Sequence, residues 1–523
     1  MAPIDPLSLL SAAARRGSAA RVRCGPRRLA YADLRDLAGR IDRDLTQAGA
    51  RPGDRVAALF PNCHLFLACY FAALEGGRIL VPLNTRLAPA ETRAVLEHSG
   101  ARVLIGDTVL GRPFVDGDGT VAREEGWIVG RPARGTRDPA AGEPSDETDP
   151  SLAPSDAAHL YYTSGPTGAP KGVILTRANL AAHVALTLEE LGLSEHDVWM
   201  HAAPMFHLAD AWAVWSVTAA GGTHVILPRF DPAAAYDLIE QAGVTITNLV
   251  PTMLLGLLEE AERRRRPLPS LRLLLSGGAP IAPSVVARAG RLLGCDYAQT
   301  YGLTETSPFL TFSLPDADLR RLPEEEQLRH RARTGRAARG VRLRVVRPSS
   351  SDRLDDVPAD DATVGEVVVR GPTVTPGYWR DPEATAAAFR GGWFHTGDLG
   401  TIDRRGSVNL VDRIKDVIIT GGETVYSAEV EHALYEHPAV REAAVFGTPD
   451  ATWGEAVRAA VVLSRPGEAT PEDLIRFCRE RIAHYKCPRA IDLLEALPRT
   501  GSGKIDKKAL REPFWLGRAR RIN

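Results

Sequence analysis

The chain has 523 residues, 44% hydrophobic and 25% charged, with 64 basic residues against 65 acidic ones and a formal net charge of −1. That length calls for about two to four compact units. The composition argues against a disordered or fibrous chain, and the charge balance argues against a nucleic-acid binder.

No apolar run reaches the roughly 18 residues of a membrane span. The nearest, His64 to Leu74, stops at Glu75 and reads as a core helix. The N-terminus lacks an early basic region followed by a clean apolar stretch, so no secretory signal is read there. The six cysteines include no C-x-x-C pair and suggest neither a zinc site nor a disulfide framework. A reduced cytoplasm is the expected setting.

In chain order, Tyr31 to Ala50 carries helical spacing, with Leu34, Leu37, Ile41 and Leu45 apolar among charges. A strand at Val56–Phe60 follows, then a helix from His64, a strand at Ile79–Pro82, a helix from Ala90 and a strand at Val103–Gly106. This alternation predicts a parallel sheet with helices on its faces. Residues 112–155 are rich in Gly, Pro, Asp and Arg and read as a long connection with one short strand at Trp127–Val129. A second alternating stretch runs from His159 to Cys295, and 315–340 is charged and loop-like. From Val341 the period becomes two, in VRLRVV, VGEVVVRG, WFHTGDLG and SVNLVDR, which predicts an antiparallel sheet or small barrel. The last hundred or so residues return to mixed α/β, with helices at Ala428–Glu436 and Pro471–Ile482.

Tyr161 to Val173 reads YYTSGPTGAPKGV. Glycines let backbone N–H groups approach an anion, hydroxyls add donors and a lysine adds charge, which is the chemistry of a polyphosphate cradle. It is not a Walker A loop: Pro170 stands where the second glycine belongs, and Gly172 follows Lys171. A flexible surface turn is the alternative. Lysine usage sharpens the choice. Only six of the 64 basic residues are lysine, namely Lys171, Lys415, Lys486, Lys504, Lys507 and Lys508. A compact ammonium and a planar guanidinium are not interchangeable at tight sites, so lysines in an arginine-dominated chain are enriched where arginine does not fit.

The loop resembles the signature of the adenylate-forming (ANL) superfamily of acyl-CoA synthetases, peptide-synthetase adenylation domains and beetle luciferases. The resemblance extends across nearly the whole chain. PMFH at 204–207, SGGAP at 276–280, YGLTET at 301–306, GYWRDPEAT at 377–385, WFHTGD at 393–398, DRIKDVIITGGETVYSAEVE at 412–431 and PRTGSGKIDKKALR at 498–511 appear in order. It implies an α/β fold: a large N-terminal domain, residues 1–413, of two doubly wound subdomains plus a small β-barrel, and a smaller mobile α+β C-terminal domain, residues 414–523.

The implied activity is that of an AMP-forming acid–thiol ligase with ATP, Mg2+ and CoA. The resemblance assigns the phosphates to Thr163, Ser164, Gly165, Thr167, Gly168 and Lys171, and the rest of the nucleotide pocket to Gly278, Ala279, Pro280, Tyr301 and Gly302, with Tyr301 stacking on adenine. Thr304 and Glu305 are the phosphate and Mg2+ partners, Glu305 being the metal ligand. Asp398 reads the ribose diol with Arg413 as companion, Lys415 is the hinge, and Lys504 is the cation beside the α-phosphate and substrate carboxylate. Gly421 and Gly422 belong to a loop that turns inward for the pantetheine arm. A core tyrosine at 301, a plain surface pair at 398/413 and a simple hairpin at 421–422 before a helix capped by Ser427 are the alternatives.

Acid specificity is expected from Phe206, His207, Trp212 and Trp215, from Val250 to Met253 and from Gly277 to Ala279, with His207 also counted as catalytic. Trp212 and Trp215 either close a short, flat pocket suited to an aromatic or medium-length acid, or belong to the core. Asp210 is a remote candidate for reading an amine. Lys507 and Lys508 read as solvated charges or a basic edge for CoA phosphates, and Lys486 as structural.

Two departures stand out. Pro166 replaces a Ser or Thr, removing a hydroxyl and an N–H donor. Thr424 and Ser427 stand where many CoA ligases have Asn and Pro. The acceptor is therefore CoA, or a carrier-protein thiol, an amine or another nucleophile. A degraded nucleotide-binding scaffold is favoured by Pro166 alone and opposed by Glu305, Asp398, Arg413 and Lys504. Partners are a small carboxylic acid, ATP and CoA or a carrier protein, without nucleic acid, and with a homodimer left open.

Overall fold

Apolar β-branched runs of four or five residues, each followed by an amphipathic or wholly apolar helix, can bury their side chains only by stacking side by side. The structure, a computed structural model, describes residues 4–117, 121–122, 126–133, 156–164, 170–279, 281–349, 352–500 and 505–516. The chain packs as two units, residues 1–343 with 369–394 and residues 344–368 with 395–523.

The first unit holds two sheets. One runs in the order Val121–Ala122, Trp127–Gly130, Val103–Asp107, Arg55–Leu59, Ile79–Pro82, Ala157–Ser164 and Pro170–Thr176. Its four central strands are parallel, with an antiparallel strand beyond each side. The other runs Gly335–Ala337, Phe309–Phe312, Asp296–Gly302, Leu273–Gly277, Ile246–Leu249, Val198–His201, Thr223–Ile226, Val22–Cys24 and Arg27–Leu29. It is parallel from Asp296–Gly302 to Val22–Cys24.

The His64–Glu75 helix is buried from Leu65 to Leu74. It packs with the helices Tyr31–Gln47 and Leu208–Ala220 in one apolar cluster that also takes side chains from both sheets. Separate clusters cover the remaining faces, around Leu104, Ile174 and Trp379 for one sheet and around Leu254, Leu274 and Tyr297 for the other. Both sheets are therefore doubly wound, as expected.

Strands Arg342–Val346, Gly365–Arg370, Trp393–Ile402 and Ser407–Arg413, most of whose residues belong to the second unit, pair in that order, the last two antiparallel. A five-stranded sheet follows, built on the long hairpin Val440–Asp450/Gly454–Leu463. Helices Ser427–Tyr435 and Pro471–Arg479 complete its core.

One reading is corrected. Residues 315–340 contain a helix, Glu324–Ala332, with no buried residue. Only Leu328 and Ala332 pack against the core, and both are only partly buried, so the apolar period is too weak to read. Its support is three glutamates in the first turn and Arg329, His330 and Arg331 in the last, complementing the helix dipole. The hairpin Val22–Cys24/Arg27–Leu29 joins the second sheet next to Thr223–Ile226, a pairing across about 200 residues that no local pattern announces. Among the described residues, no helix is long and apolar enough to cross a membrane.

Candidate active site

In open α/β sheets, ligands meet the crevice beyond the carboxyl ends of the parallel strands. The motif residues of the first unit collect there. Gly277 ends one strand opposite Thr300 on its parallel neighbour, and Tyr301 and Gly302 end that neighbour at a bulge. A Cβ at Gly277 would overlap the Thr300 side chain and carbonyl, and one at Gly302 would overlap the Pro308 carbonyl. Gly278 takes φ +88°, and Gln299 Nε2 donates to the Ala279 carbonyl at 2.8 Å, fixing this rim. Tyr301 is buried, 8% exposed. Pro280 lies outside the described residues.

The candidate phosphate loop joins an antiparallel pair. Tyr162 faces Gly172, Thr163 faces Lys171 and Ser164 faces Pro170. Gly165, Pro166, Thr167 and Gly168 lie outside the described residues, so the structure places Thr163 and Lys171 but not the loop between them.

Thr304 and Glu305 begin a one-turn 3-10 helix, Thr304–Thr306. The turn is closed by the Leu303 N–H donating to Thr306 Oγ1 at 2.9 Å. Glu305 is held by the segment preceding Tyr378: its carbonyl accepts from the Thr375 N–H at 2.7 Å, and its Oε1 accepts from the Tyr378 hydroxyl at 2.9 Å. Lys171 Nζ lies 5.2 Å from the centre of the same tyrosine ring. Glu305 and Lys171, over 130 residues apart, thus meet one side chain. Tyr378 lies in a motif recognised in the sequence, but nothing in that motif announced this contact.

His207 is the residue preceding the Leu208–Ala220 helix, its ring 5.0 Å from that of Phe206. Asp210, in the first turn, is excluded as an amine reader. It is fully buried, its Oδ2 is 2.6 Å from His201 Nδ1, and its Oδ1 accepts from Trp199 Nε1 at 3.3 Å. His201 Nε2 then meets His224 Nδ1 at 2.9 Å, and His224 Nε2 meets Thr218 Oγ1 at 3.0 Å. This internal relay ties the helix start to the strands Val198–His201 and Thr223–Ile226. Asp210→Ala should lower unfolding free energy by about 3 kcal/mol, the effect of stripping one partner from a buried polar pair, as read by denaturant titration.

Trp215 packs between Phe71 and Tyr70, 5.0 and 6.1 Å away, and Trp212 packs on Trp199 and Phe309, 4.7 and 5.0 Å away. Both are 1% exposed, which favours the core reading, above all for Trp215 in its cluster of helices.

In the second unit, Asp398 and Arg413 face each other across neighbouring strands, with Arg413 Nε 3.0 Å from Asp398 Oδ1. Asp398 is 4% exposed and the Arg413 side chain 46% exposed, so the pair joins a buried carboxylate to a guanidinium at the surface. Lys415 lies in the one-turn helix Ile414–Asp416. Burial lowers its pKa from the usual lysine value, with Asp416 pulling the other way.

Gly421 and Gly422, at φ +61° and +83°, form the two-residue turn between Ile418–Thr420 and Glu423–Val425. Positive φ at both positions suits the twist of a tight hairpin, and a Cβ at Gly421 would strike the Trp453 ring. The hairpin reading thus describes this segment. Its helix is not capped by Ser427. Ser427 is already helical, and Asp412 accepts from both its N–H and its hydroxyl.

Lys507 is corrected too. It is no solvated charge: Nζ lies 2.7 Å from Glu431 Oε1 and donates to Ser427 Oγ at 2.7 Å. Burial opposes its charge, but the Glu431 and Asp412 carboxylates outweigh that, so its pKa is raised. Lys486 is structural as expected, bonding both oxygens of Glu429 at 2.6 and 2.9 Å. Lys504 lies outside the described residues.

A family model described as AMP-binding enzyme matches residues 9–379, and one described as AMP-binding enzyme C-terminal domain matches 429–504. A feruloyl-CoA synthase of Amycolatopsis sp. is 39% identical, over 94% of this chain and 95% of its own length. The fatty acid–acyl-carrier-protein ligase ScoC of Streptomyces coeruleorubidus is 35% identical, over 96% and 95%. Among solved structures, o-succinylbenzoate CoA synthetase (MenE) of Bacillus subtilis, in complex with the acyl-adenylate intermediate OSB-AMP, matches with TM-score 0.80 at 30% identity, covering 96% of this chain and 97% of that one. A family model spanning most of the chain, relatives aligned nearly end to end and a shared fold agree that this protein belongs to the AMP-binding enzyme family.

Proposed function

We infer that the chain is an ATP-dependent carboxylic acid:CoA ligase. It activates an acid as acyl-AMP with release of pyrophosphate, then passes the acyl group to the CoA thiol. The observation that carries this reading is Lys171 and Glu305 meeting one tyrosine beside the carboxyl-end rim, in a chain aligned nearly end to end with a CoA ligase.

Attack of a carboxylate on the α-phosphorus needs positioning and charge stabilisation rather than a protein nucleophile. In this reading Lys171, Thr163 and the 164–168 loop meet the phosphates. Tyr301 stacks on adenine within the Gly278–Gly302 rim. Asp398 accepts the ribose hydroxyls while Arg413 holds its carboxylate, and Lys504 brings a cation to the α-phosphate and the acid. The acid lies near Phe206, His207 and Gly277 to Ala279. The Gly421–Gly422 turn serves the thiol half-reaction, with the functional division of the chain at 413/414 and Lys415 as the hinge.

Thr304 and Glu305 offer one hydroxyl and one carboxylate. Among the described residues no group of three or more His, Cys, Asp or Glu side chains could hold a metal by itself. That donor set fits Mg2+, which uses one or two carboxylates together with substrate phosphates instead of an all-protein cage. When bound, Mg2+ neutralises phosphate charge as pyrophosphate departs.

An aromatic or medium-length acid is the proposed substrate class, supported by the feruloyl-CoA synthase relative, and the cytoplasm is the proposed setting. A carrier-protein thiol is the second acceptor reading, favoured by the similarity to ScoC. The test is pyrophosphate release over a panel of aromatic and aliphatic acids, with and without CoA, with products identified by mass. Acid-dependent release that CoA turns from about one turnover to many, with acyl-CoA formed, is expected. Transfer to a phosphopantetheinyl carrier protein but not to CoA selects the second reading. Absence of acid-dependent pyrophosphate overturns both.

A further inference from the structure

We propose that Tyr378 is a positioning residue for the two phosphate-directed charges: its hydroxyl aims the Glu305 carboxylate, and its ring face seats the Lys171 ammonium. The inference rests on the function proposed above, in which Glu305 meets Mg2+ and Lys171 meets the phosphates.

The segment that carries Tyr378 is fastened to both partners' backbones before the side chain acts. Asn179 Nδ2 donates to the carbonyls of Pro372 and Val374 at 2.8 and 3.0 Å. On the Lys171 side, the Ile174 N–H donates to the Gly377 carbonyl at 3.1 Å, and the Trp379 N–H donates to the Gly172 carbonyl at 2.7 Å. Thr375 Oγ1 also donates to the Ile174 carbonyl at 2.5 Å. On the Glu305 side, Ser307 Oγ donates to the Thr373 carbonyl at 2.7 Å, and the Thr375 N–H donates to the Glu305 carbonyl. The Tyr378 N–H itself is held by Thr385 Oγ1 at 2.9 Å. These backbone-directed bonds lace one short segment to the strand bearing Lys171 and the turn bearing Glu305. Tyr378 then stands between the side chains of both.

The chemistry suits the place. The Tyr378 hydroxyl donates to Glu305 Oε1 at 2.9 Å, which fixes the direction of that carboxylate oxygen. The π face offers an ammonium an attractive seat, while the hydroxyl at the ring edge stays on the carboxylate. Partners that orient a metal-binding carboxylate commonly govern metal affinity by about 10–100-fold.

The two contacts separate by substitution. Tyr378→Phe keeps the ring and removes the hydroxyl; Tyr378→Leu removes both. ATP binding is measured by calorimetry with and without Mg2+, acid and CoA omitted, with circular dichroism and thermal unfolding to verify the fold. Tyr378→Phe should bind Mg2+-free ATP like the wild type but lose about 10-fold of the affinity gained on adding Mg2+. Tyr378→Leu should show the same loss and also weaken Mg2+-free ATP by about 3-fold. If Tyr378→Leu does not fold, the Phe variant decides alone. A wild-type Mg2+ gain in Tyr378→Phe overturns the proposal, and so does an equal loss with and without the metal. Wild-type protein that binds no ATP overturns the functional reading itself, a result distinct from either.

Discussion

Lys504→Ala should slow acyl-AMP formation by about 10²–10³-fold, the usual size of a lost transition-state charge contact, while supplied acyl-AMP and CoA still form thioester at a near-normal rate. The asymmetry follows from the proposed role, a cation needed only while negative charge builds at the α-phosphorus. The described flanks of this segment are anchored independently of the lysine. Arg499 pairs with Ile505, the Asp506 N–H donates to the Pro498 carbonyl at 2.8 Å, and the Asp506 side chain caps the Lys507–Trp515 helix. Removing the Lys504 ammonium disturbs none of these contacts, so the loss should be kinetic, with little change in unfolding temperature. Lys507 provides the contrast three residues on. Its ammonium is tied to Glu431 and Ser427, and Lys507→Ala should lower stability first. Single-turnover measurement of pyrophosphate release and of thioester formation separates the halves. Equal loss of both in Lys504→Ala would remove the half-reaction-specific role.

Much of this architecture was legible because short apolar runs with strong turn signals at their ends leave little freedom. Ile79–Pro82 and Ser407–Arg413 fall at the residues the pattern marks, and the His64–Glu75 helix is buried along the run that predicted it. What stayed hidden needed partners far away in sequence. The Val22–Cys24 strand is too short and too arginine-rich to show a period, and it exists because Thr223–Ile226 offers an edge. Trp212 and Trp215 could not be assigned to pocket or core from spacing, because the Leu208–Ala220 helix is apolar and buried around most of its circumference. Asp398 and Arg413 were paired by motif and meet across a ladder. Tyr378 was visible as a letter in a motif, but its contacts come from residues 73 and 207 positions away. Lys507 looked like a surface cation because nothing local reveals that Glu431, on a helix about 75 residues earlier, turns toward it.

Lys415→Pro should show the opposite asymmetry to Lys504→Ala, with acyl-AMP forming and accumulating while thioester formation stalls. Lys415 sits in the three-residue turn Ile414–Asp416, between the strand that ends at Arg413 and the strand that begins at Ile418. Upstream, the Asp398–Arg413 ion pair is fixed by strand pairing and does not depend on φ at 415. Ribose recognition should therefore survive the substitution, and adenylation with it. Downstream, a hinge must change φ and ψ at very few residues for the C-terminal segment to switch tasks. Proline locks its own φ near −65°. A mismatch of about 3 kcal/mol in the second arrangement corresponds to roughly 10²-fold slower thioester formation. Lys415→Ala separates backbone from charge, because it removes the ammonium and leaves φ free. Rapid-quench single turnovers, following acyl-AMP and acyl-CoA together, distinguish the two causes. A stall shared by the alanine variant would assign the role to the ammonium, and proportional loss of both half-reactions in Lys415→Pro would remove the hinge.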